Sequence, residues 1–359
     1  MVATGAEPSH PARTPTVIQT PTVVVCAYTT DRWPDLAEAV GEARRQALQM
    51  AGEVVLVIDH NDQLLARAST DLAGGGVTVV PNRHGQGLSG ARNTGVEEAT
   101  GDVVVFLDDD ATPRTGWLEA LMAPFADATG RNDPTVLGVG GVAIPRWPAG
   151  GRPASLPAEH YHLGEFDWVV GCSYRGMSAG TAPIRNLMGC SMAIRRDVFA
   201  AVGGFAESLG RVGSTPLGCE ETELCLRATA DRPEARFWFT PDAVVDHTVT
   251  TSRTTWGYFW SRCWAEGLSK AAVASLAGSR AALSTEQSYL VRVLPRGLAR
   301  ESTRLLRGPR RTRGLAGTVA IATGVFVTAG GYLRGCLGRI RLTADTGDVA
   351  LAIVDEHRP

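Results

Sequence analysis

Five apolar residues in a row, Val103–Leu107, run straight into three aspartates, Asp108, Asp109 and Asp110. An uninterrupted apolar run of this length fits a short strand buried on both faces, which belongs in a sheet covered by helices on each side. Ending that strand in acids places negative charge at the carboxyl edge of the sheet, where open α/β sheets bind ligands. Three adjacent carboxylates repel one another and resist desolvation unless a cation compensates them. Hard oxygen donors suit Mg2+ or Mn2+, ions that commonly arrive with phosphate oxygens. Asp108 and Asp110 are two residues apart, so an extended segment turns both to one side.

The stretch before this run alternates in character. Thr22–Ala27 is a β-branched run, Trp33–Met50 an amphipathic Ala-rich helix and Glu53–Ile58 a second apolar strand with Asp59 at its end. Asn61–Leu72 reads as a helix closed by Gly74, Gly75 and Gly76, then come a short strand at Val77–Val80 and a helix at Leu88–Ala99. This rhythm predicts parallel strands joined by right-handed crossovers. Neither a G-x-G-x-x-G after the first strand nor a G-x-x-x-x-G-K-[ST] occurs, which excludes the dinucleotide fingerprint and the P-loop. The stretch Asn82–Gly95 is rich in glycine and passes into a helix near Leu88–Ser89, so its backbone N–H groups suit an anion, with Arg83 and Arg92 as added charge.

Beyond Pro113 the expectations are a helix from about Arg114, a strand at Val136–Ile144 and a long irregular insertion from Pro145 to Pro183. A loop of that length is a lid or binding loop. His160 and His162 within it read as structural. Asn186–Ile194 reads as a further buried strand, with a helix from Arg195 to Gly203. Glu220 and Glu221 open another helix, where the macrodipole favours acids. Arg236–Phe239 and Ala243–Asp246 read as two short strands, and His247 after them suits a third metal ligand beside Asp108 and Asp110.

Charge is distributed unevenly. The formal net charge is −2, which gives no sign of nucleic-acid binding, yet Arg292–Arg341 holds eleven arginines and one acid, Glu301. Arg296, Arg300, Arg304, Arg307 and Arg311 recur on one helical face, and Leu315–Leu333 follows without a charge. The spacing predicts helices lying on an anionic membrane, with a single span and a packed soluble helix as the alternatives. Seven scattered cysteines with no C-x-x-C predict free thiols in a reducing cytosol, at the inner face of the cell membrane. Residues 1–20 read as a disordered tail without an apolar signal region, 21–275 as the main domain and 276–359 as a basic, apolar helical extension.

Four segments together resemble the family 2 glycosyltransferases over Thr22–Lys270: V-V-V-C-A-Y-T-T-D-R, G-L-S-G-A-R-N-T-G, F-L-D-D-D-A-T-P and G-C-E-E-T-E-L-C-L-R. The resemblance implies a GT-A (nucleotide-diphospho-sugar transferase) fold, with a mostly parallel central sheet flanked by helices and a C-terminal helical extension. It implies inverting transfer from a nucleotide-diphosphate sugar to a glycan or lipid-linked acceptor. On it, the nucleotide side comprises Ala27, Tyr28, Thr29, Arg32, Asp59, Gly87, Arg92, Asn93, Asp108 and Asp109. The metal, Mg2+ or Mn2+, falls to Asp108 and Asp110 with His247, and the base to Glu221 or Glu220. The sequence departs from the family pattern in having Glu220-Glu221 where Glu-Asp is usual. A sugar nucleotidyltransferase is the second reading, opposed by the absence of glycine from Ala27–Arg32. A catalytically inactive glycan-binding scaffold is the third, opposed by the intact run of acids.

Overall fold

The computed structural model describes residues 19–159, 163–209, 218–277, 289–307 and 311–337. Most of the expected N-terminal tail, His160, His162 and the last part of the extension lie outside these residues. The first half follows the anticipated alternation: β1 Pro21–Ala27, α1 Trp33–Gln49, β2 Glu53–Ile58, α2 Asp62–Asp71, β3 Val77–Pro81, α3 Leu88–Glu98 and β4 Val103–Asp108. Strands β1, β2, β3 and β4 are mutually parallel where they pair, in the order β3-β2-β1-β4. Register places Cys26 beside Asp108 and Ala27 beside Ile58, so Asp59 and Asp108 stand at one edge on either side of the β1 terminus.

Past Asp110 the sheet becomes mixed. β5 Ala111–Pro113, α4 Trp117–Met122, β6 Val136–Arg146, β7 Ala182–Ile184, β8 Ser191–Arg195, α5 Arg196–Val202, α6 Glu220–Asp231 and β9 Arg236–Thr248 complete the core domain. Strand β8 runs antiparallel to both β4 and β6, and β9 is parallel to β6. The helix expected from Arg114 starts instead at Trp117, after a turn through Gly116, whose φ is 81°. The strand expected over Asn186–Ile194 begins only at Ser191. Residues 186–190 leave the sheet and line a cavity, because Gly189 lies directly against Arg92 and Glu221, where a Cβ would collide with both. The two strands expected around Pro241 are one, since β9 absorbs the interruption as a register shift against β6.

Burial follows from this layering. Val23, Val25, Leu56 and Val105 face one side of the sheet and pack on α1 and α4. Val24, Val55, Phe106 and Ile194 face the other, against α3, α5 and α6. A third cluster joins the insertion to the C-terminal helices α7 Trp256–Ala277, α8 Leu294–Arg307 and α9 Arg311–Leu337. Phe166 and Val169 from the insertion pack there with Phe259, Leu294, Ala320 and Ile321. Residues on both sides of position 275 therefore share one core.

Helix α9 is docked through its glycines. A Cβ at Gly317 would meet Glu301, one at Gly324 would meet Phe166 and Phe259, and one at Gly331 would collide with the Trp264 carbonyl oxygen. These residues lower the hydropathy of the segment, and they also let α9 approach α7 and α8 at backbone distance. Part of the arginine face turns inward. Arg300 pairs with fully buried Glu165 at 2.7 Å and with Glu301 at 2.8 Å, and Arg304 also pairs with Glu301 at 2.7 Å. Arg292, Arg296, Arg307 and Arg311 remain exposed.

Candidate active site

A cavity of ≈ 660 Å³ opens where the carboxyl edge of the sheet meets the C-terminal helices. Of the residues expected on the nucleotide side, Ala27, Tyr28, Arg32, Asp59, Gly87, Arg92, Asp108 and Asp109 line it. Thr29 and Asn93 do not. The Thr29 hydroxyl accepts from the Asp31 amide, capping the turn that carries Arg32, and Asn93 clasps the backbone of Phe205 from α3. Arg83 pairs with Glu97 and Glu98 outside the cavity.

Asp59 braces the glycine loop. Its carboxylate accepts from the Gly87 amide at 2.9 Å and from Asn82 Nδ2 at 2.7 Å. Gly87 adopts φ 134°, a conformation that side chains disfavour, and hands the chain to α3. Asp59 is thus tied to the loop that faces the cavity, while remaining part of the lining.

The metal-type cluster is assembled by strand register. Ala111 of β5 pairs with His247 of β9, and the Thr248 amide donates to the Asp110 carbonyl oxygen at 2.8 Å. This brings His247 Nε2 to 3.2 Å from Asp110 Oδ1 and 4.0 Å from Asp108 Oδ2. Ligand atoms of Asp108, Asp110 and His247 all lie within 4.8 Å of one another. Two carboxylate oxygens and an imidazole nitrogen at this spacing fit a divalent cation such as Mn2+ or Mg2+. Gly171 supports the ring, since a Cβ there would lie 3.3 Å from it.

Asp110 presents its two oxygens to different partners. Oδ1 faces His247, and Oδ2 accepts from Arg32 Nη1 at 2.7 Å with Arg253 at 3.7 Å. Burial works to raise the Asp110 carboxyl, but His247, Arg253 and Arg32 outweigh it and hold it at about 2. Asp109 is pushed well above the usual carboxylate range, by burial first and by its acidic neighbours, with Arg32 opposing. Arg253 follows β9 by a few residues. Nothing in its local pattern marks it as a partner of Asp110, because β9 alone brings it there.

Arg92, expected to add charge for a diphosphate, is engaged by carboxylates of the protein. Its side chain is only 2% exposed and donates to Glu220 Oε1 at 3.1 Å, Glu221 Oε1 at 3.4 Å and the Gly189 carbonyl at 3.1 Å. Its other face approaches Asp108 Oδ1 at 3.7 Å. One guanidinium therefore links the acids of β4 to those of α6, and requires the close approach of Gly189. Burial raises the Glu221 carboxyl, the adjacent Glu220 raises it further, and Arg92 only partly offsets them, leaving it at about 7. A carboxyl near neutrality at a helix N-terminus, 16% exposed to the cavity, can accept a proton.

The far side of the cavity is formed by the C-terminal helices. Arg262, Glu266 and Lys270 recur every fourth residue on α7 and face inward, joined by Arg185 from the insertion side and Tyr332 from α9. The i, i+4, i+8 spacing of these polar residues on an otherwise aromatic and aliphatic helix was legible as a signal.

Known proteins resemble this chain in sequence and in fold. The profile described as Glycosyl transferase family 2 matches residues 22–203. The glucosyl-dolichyl phosphate glucuronosyltransferase of Haloferax volcanii is 32% identical over 249 residues, covering 69% of this chain and 75% of its own. The pre-mycofactocin glycosyltransferase of Mycobacterium tuberculosis is 29% identical over 217 residues, and the match spans 59% of this chain but only 41% of that protein. The structure of a mannosyltransferase from Pyrobaculum calidifontis, in complex with GDP-Man and Mn2+, superposes with a TM-score of 0.53 at 20% identity. That superposition covers 91% of this chain and 90% of the other, and shows the same fold.

Proposed function

The chain belongs to glycosyl transferase family 2, and on that premise we propose that it is an inverting enzyme moving a sugar from a nucleotide-diphosphate donor to a hydroxyl of a lipid-linked glycan acceptor at a membrane. The observation that carries this reading is the Arg92 bridge. A single buried guanidinium holds Asp108, at the end of β4, and Glu221, at the start of α6, within reach of one another across the cavity.

Asp108, Asp110 and His247 would hold Mn2+ or Mg2+, which when bound would offset charge on the departing diphosphate. The protein's own groups do the rest. The loop held by Asp59 presents the Gly87 end of α3 to the nucleotide. Arg32 and Arg253 balance the acids whenever Asp109 and Asp110 are unscreened. Glu221 takes the proton from the acceptor hydroxyl as that oxygen attacks the anomeric carbon from the face opposite the nucleotide. The bond to the diphosphate breaks as the new glycosidic bond forms, so the anomeric configuration inverts. Glu220, buried and bonded to Arg92, positions its neighbour and helps keep it near neutrality.

Membrane contact is supported by the outer face of the C-terminal helices. Leu306, Phe326, Leu333 and Leu337 are 60–82% exposed there, with exposed arginines around them. Among the described residues α9 is the one helix long and apolar enough to cross a membrane, with mean hydropathy 1.5. Its glycine face is occupied by α7 and α8, which favours an in-plane position with the opposite face in lipid. The cysteines are all free thiols, as suits the cytoplasmic side.

Thermal denaturation with UDP, GDP or dTDP, each with and without Mn2+, tests the donor side. Stabilisation by one diphosphate only when metal is present is the expected result. An identical melting curve with every nucleotide, with or without metal, would sink the reading.

A further inference from the structure

A histidine that binds a metal through one ring nitrogen is usually held by a hydrogen bond from the other to a carboxylate or a backbone carbonyl. In His247, Nε2 faces Asp110, and Nδ1 is buried with no bonding partner among the described residues. His247 is also the last residue but one of β9, and strand ends fray unless something holds them. The direction of its ring must therefore be set in another way.

The residues on either side of His247 are gripped instead. Side chains alternate along a strand, so Asp246 and Thr248 point away from the face that carries His247. Arg114 holds Asp246 with a two-pronged pair, Nε to Oδ2 at 2.9 Å and Nη2 to Oδ1 at 2.6 Å. Thr248 Oγ1 donates to Asp35 Oδ1 at 2.9 Å and accepts from Arg146 Nη2 at 2.7 Å. Arg146 Nη2 also donates to Asp35 Oδ1 at 2.9 Å, which closes a triangle joining β6, β9 and α1. Asp35 stands in the first turn of α1, and Arg32 at the N-cap of the same helix donates to Asp110 Oδ2 at 2.7 Å. The start of one helix thus holds both Asp110 and the residue after His247.

We infer that Thr248, Asp35 and Arg146, assisted by the Arg114–Asp246 pair, are positioning residues that fix His247 against Asp108 and Asp110. They take the place of a partner on Nδ1: with the backbone pinned before and after the histidine, its ring keeps one direction. The inference rests on the proposed metal-assisted transfer, because it concerns how that site keeps its ligand spacing. None of the five residues lines the cavity, so changing them reaches a metal only through the cluster itself. Both ion pairs are partly exposed and add little to overall stability, which separates metal affinity from folding.

The test uses the full-length chain and the Mn2+ concentration that gives half of the thermal stabilisation seen with UDP, GDP or dTDP. Thr248→Val keeps the shape, removes the hydroxyl and leaves Asp35 paired with Arg146. It should raise the Mn2+ requirement about tenfold or more, while the melting temperature without metal shifts little. Thr248→Ser restores the hydroxyl and should match the wild-type chain. Arg114→Met acts on an exposed pair and should move the requirement in the same direction, which keeps the test open if Thr248→Val does not fold. An unchanged Mn2+ requirement in Thr248→Val, or in Arg114→Met where Thr248→Val is not folded, overturns the inference. An equal rise in Thr248→Ser overturns it too, since the hydroxyl would then not be the cause. The wild-type chain separates the two levels. If it shows Mn2+-dependent stabilisation that the variants keep in full, the positioning role alone fails. If it shows none with any of the three nucleotides, the transferase reading beneath it fails.

Discussion

The sheet-edge half of the cavity and its helical half are built by opposite means. At the sheet edge, strands β1, β2 and β4 end in register, and β5 pairs with β9, so that Asp59, Asp108, Asp110 and His247 are set by backbone hydrogen bonds. Among the described residues the helical half has no ladder. Position there comes from side-chain packing, above all the glycine contacts that bring α9 onto α7. A ladder is stiff and local, so it suits chemistry that needs fixed distances. A packed helix face can shift by rotating or sliding, so it suits a bulky substrate that must enter and leave.

If that division holds, damage at the sheet edge should abolish the reaction, and damage on the helices should change what is bound. The largest effect is expected from Glu221→Gln, which removes the proton acceptor but keeps the shape. Turnover should fall about 10²–10⁴-fold with donor-diphosphate stabilisation retained, as a steady-state assay beside thermal denaturation would show. A variant that kept its rate would shift the base to Glu220.

Asp110→Asn should come next. It removes one ligand from the metal-type cluster and leaves Arg32 and Arg253 without their shared carboxylate. Metal-dependent stabilisation by the nucleotide should disappear, and metal-independent binding of similar strength would break the assignment of Asp108, Asp110 and His247. The pH profile sharpens the same half. Glu221 sits at about 7 and acts as a base only when ionised. The value of kcat/KM should therefore rise about tenfold per pH unit below 7 and level off above it. A profile flat from pH 5 to 8 would show that no group of this kind limits the rate.

On the helical side, Gly331→Leu should separate α9 from Trp264, destabilising the chain by about 1–3 kcal/mol as overpacking does. The acceptor KM should rise while donor stabilisation stays. Unchanged stability would mean that α9 is not held at this contact. The smallest effect is reserved for the surface. Arg296→Glu with Arg307→Glu should weaken sedimentation with anionic vesicles by about 1 kcal/mol per charge and leave turnover on a soluble acceptor unchanged. These charge reversals test the membrane face better than deleting residues 292–359, because α9 forms part of the cavity wall.

The two halves also differed in how far they could be read in advance. Strands β1, β2 and β4, the helices between them and the acids at their ends were legible because each rests on local signals: β-branched runs, 3.6-residue periodicity, glycine stops. The antiparallel β8 and the single long β9 were not, since direction and register depend on partners distant in the chain. His247 could be nominated as a ligand from its place after a strand, yet only the β5–β9 register sets it beside Asp110. Arg92 was assigned to the donor from its motif. The fold turned it toward Glu220 and Glu221, because burial leaves a guanidinium no alternative to nearby carboxylates.

By itself, the sequence determined the α/β class, the acids of the sheet edge, the helix that opens with Glu220 and the family to which the chain belongs. These follow from contacts among near neighbours, which composition and spacing encode directly. Tertiary structure alone decided that Arg92 joins the two acidic groups and that Arg300 and Arg304 turn inward to Glu165 and the Ala158 carbonyl. It also decided that glycines which weaken α9 as a membrane span are the points at which it closes the cavity. Such outcomes depend on surfaces that lie far apart in the chain: 128 residues separate Arg92 from Glu220, and 135 separate Arg300 from Glu165. Burial and charge pairing settle such contacts only after the sheet has formed.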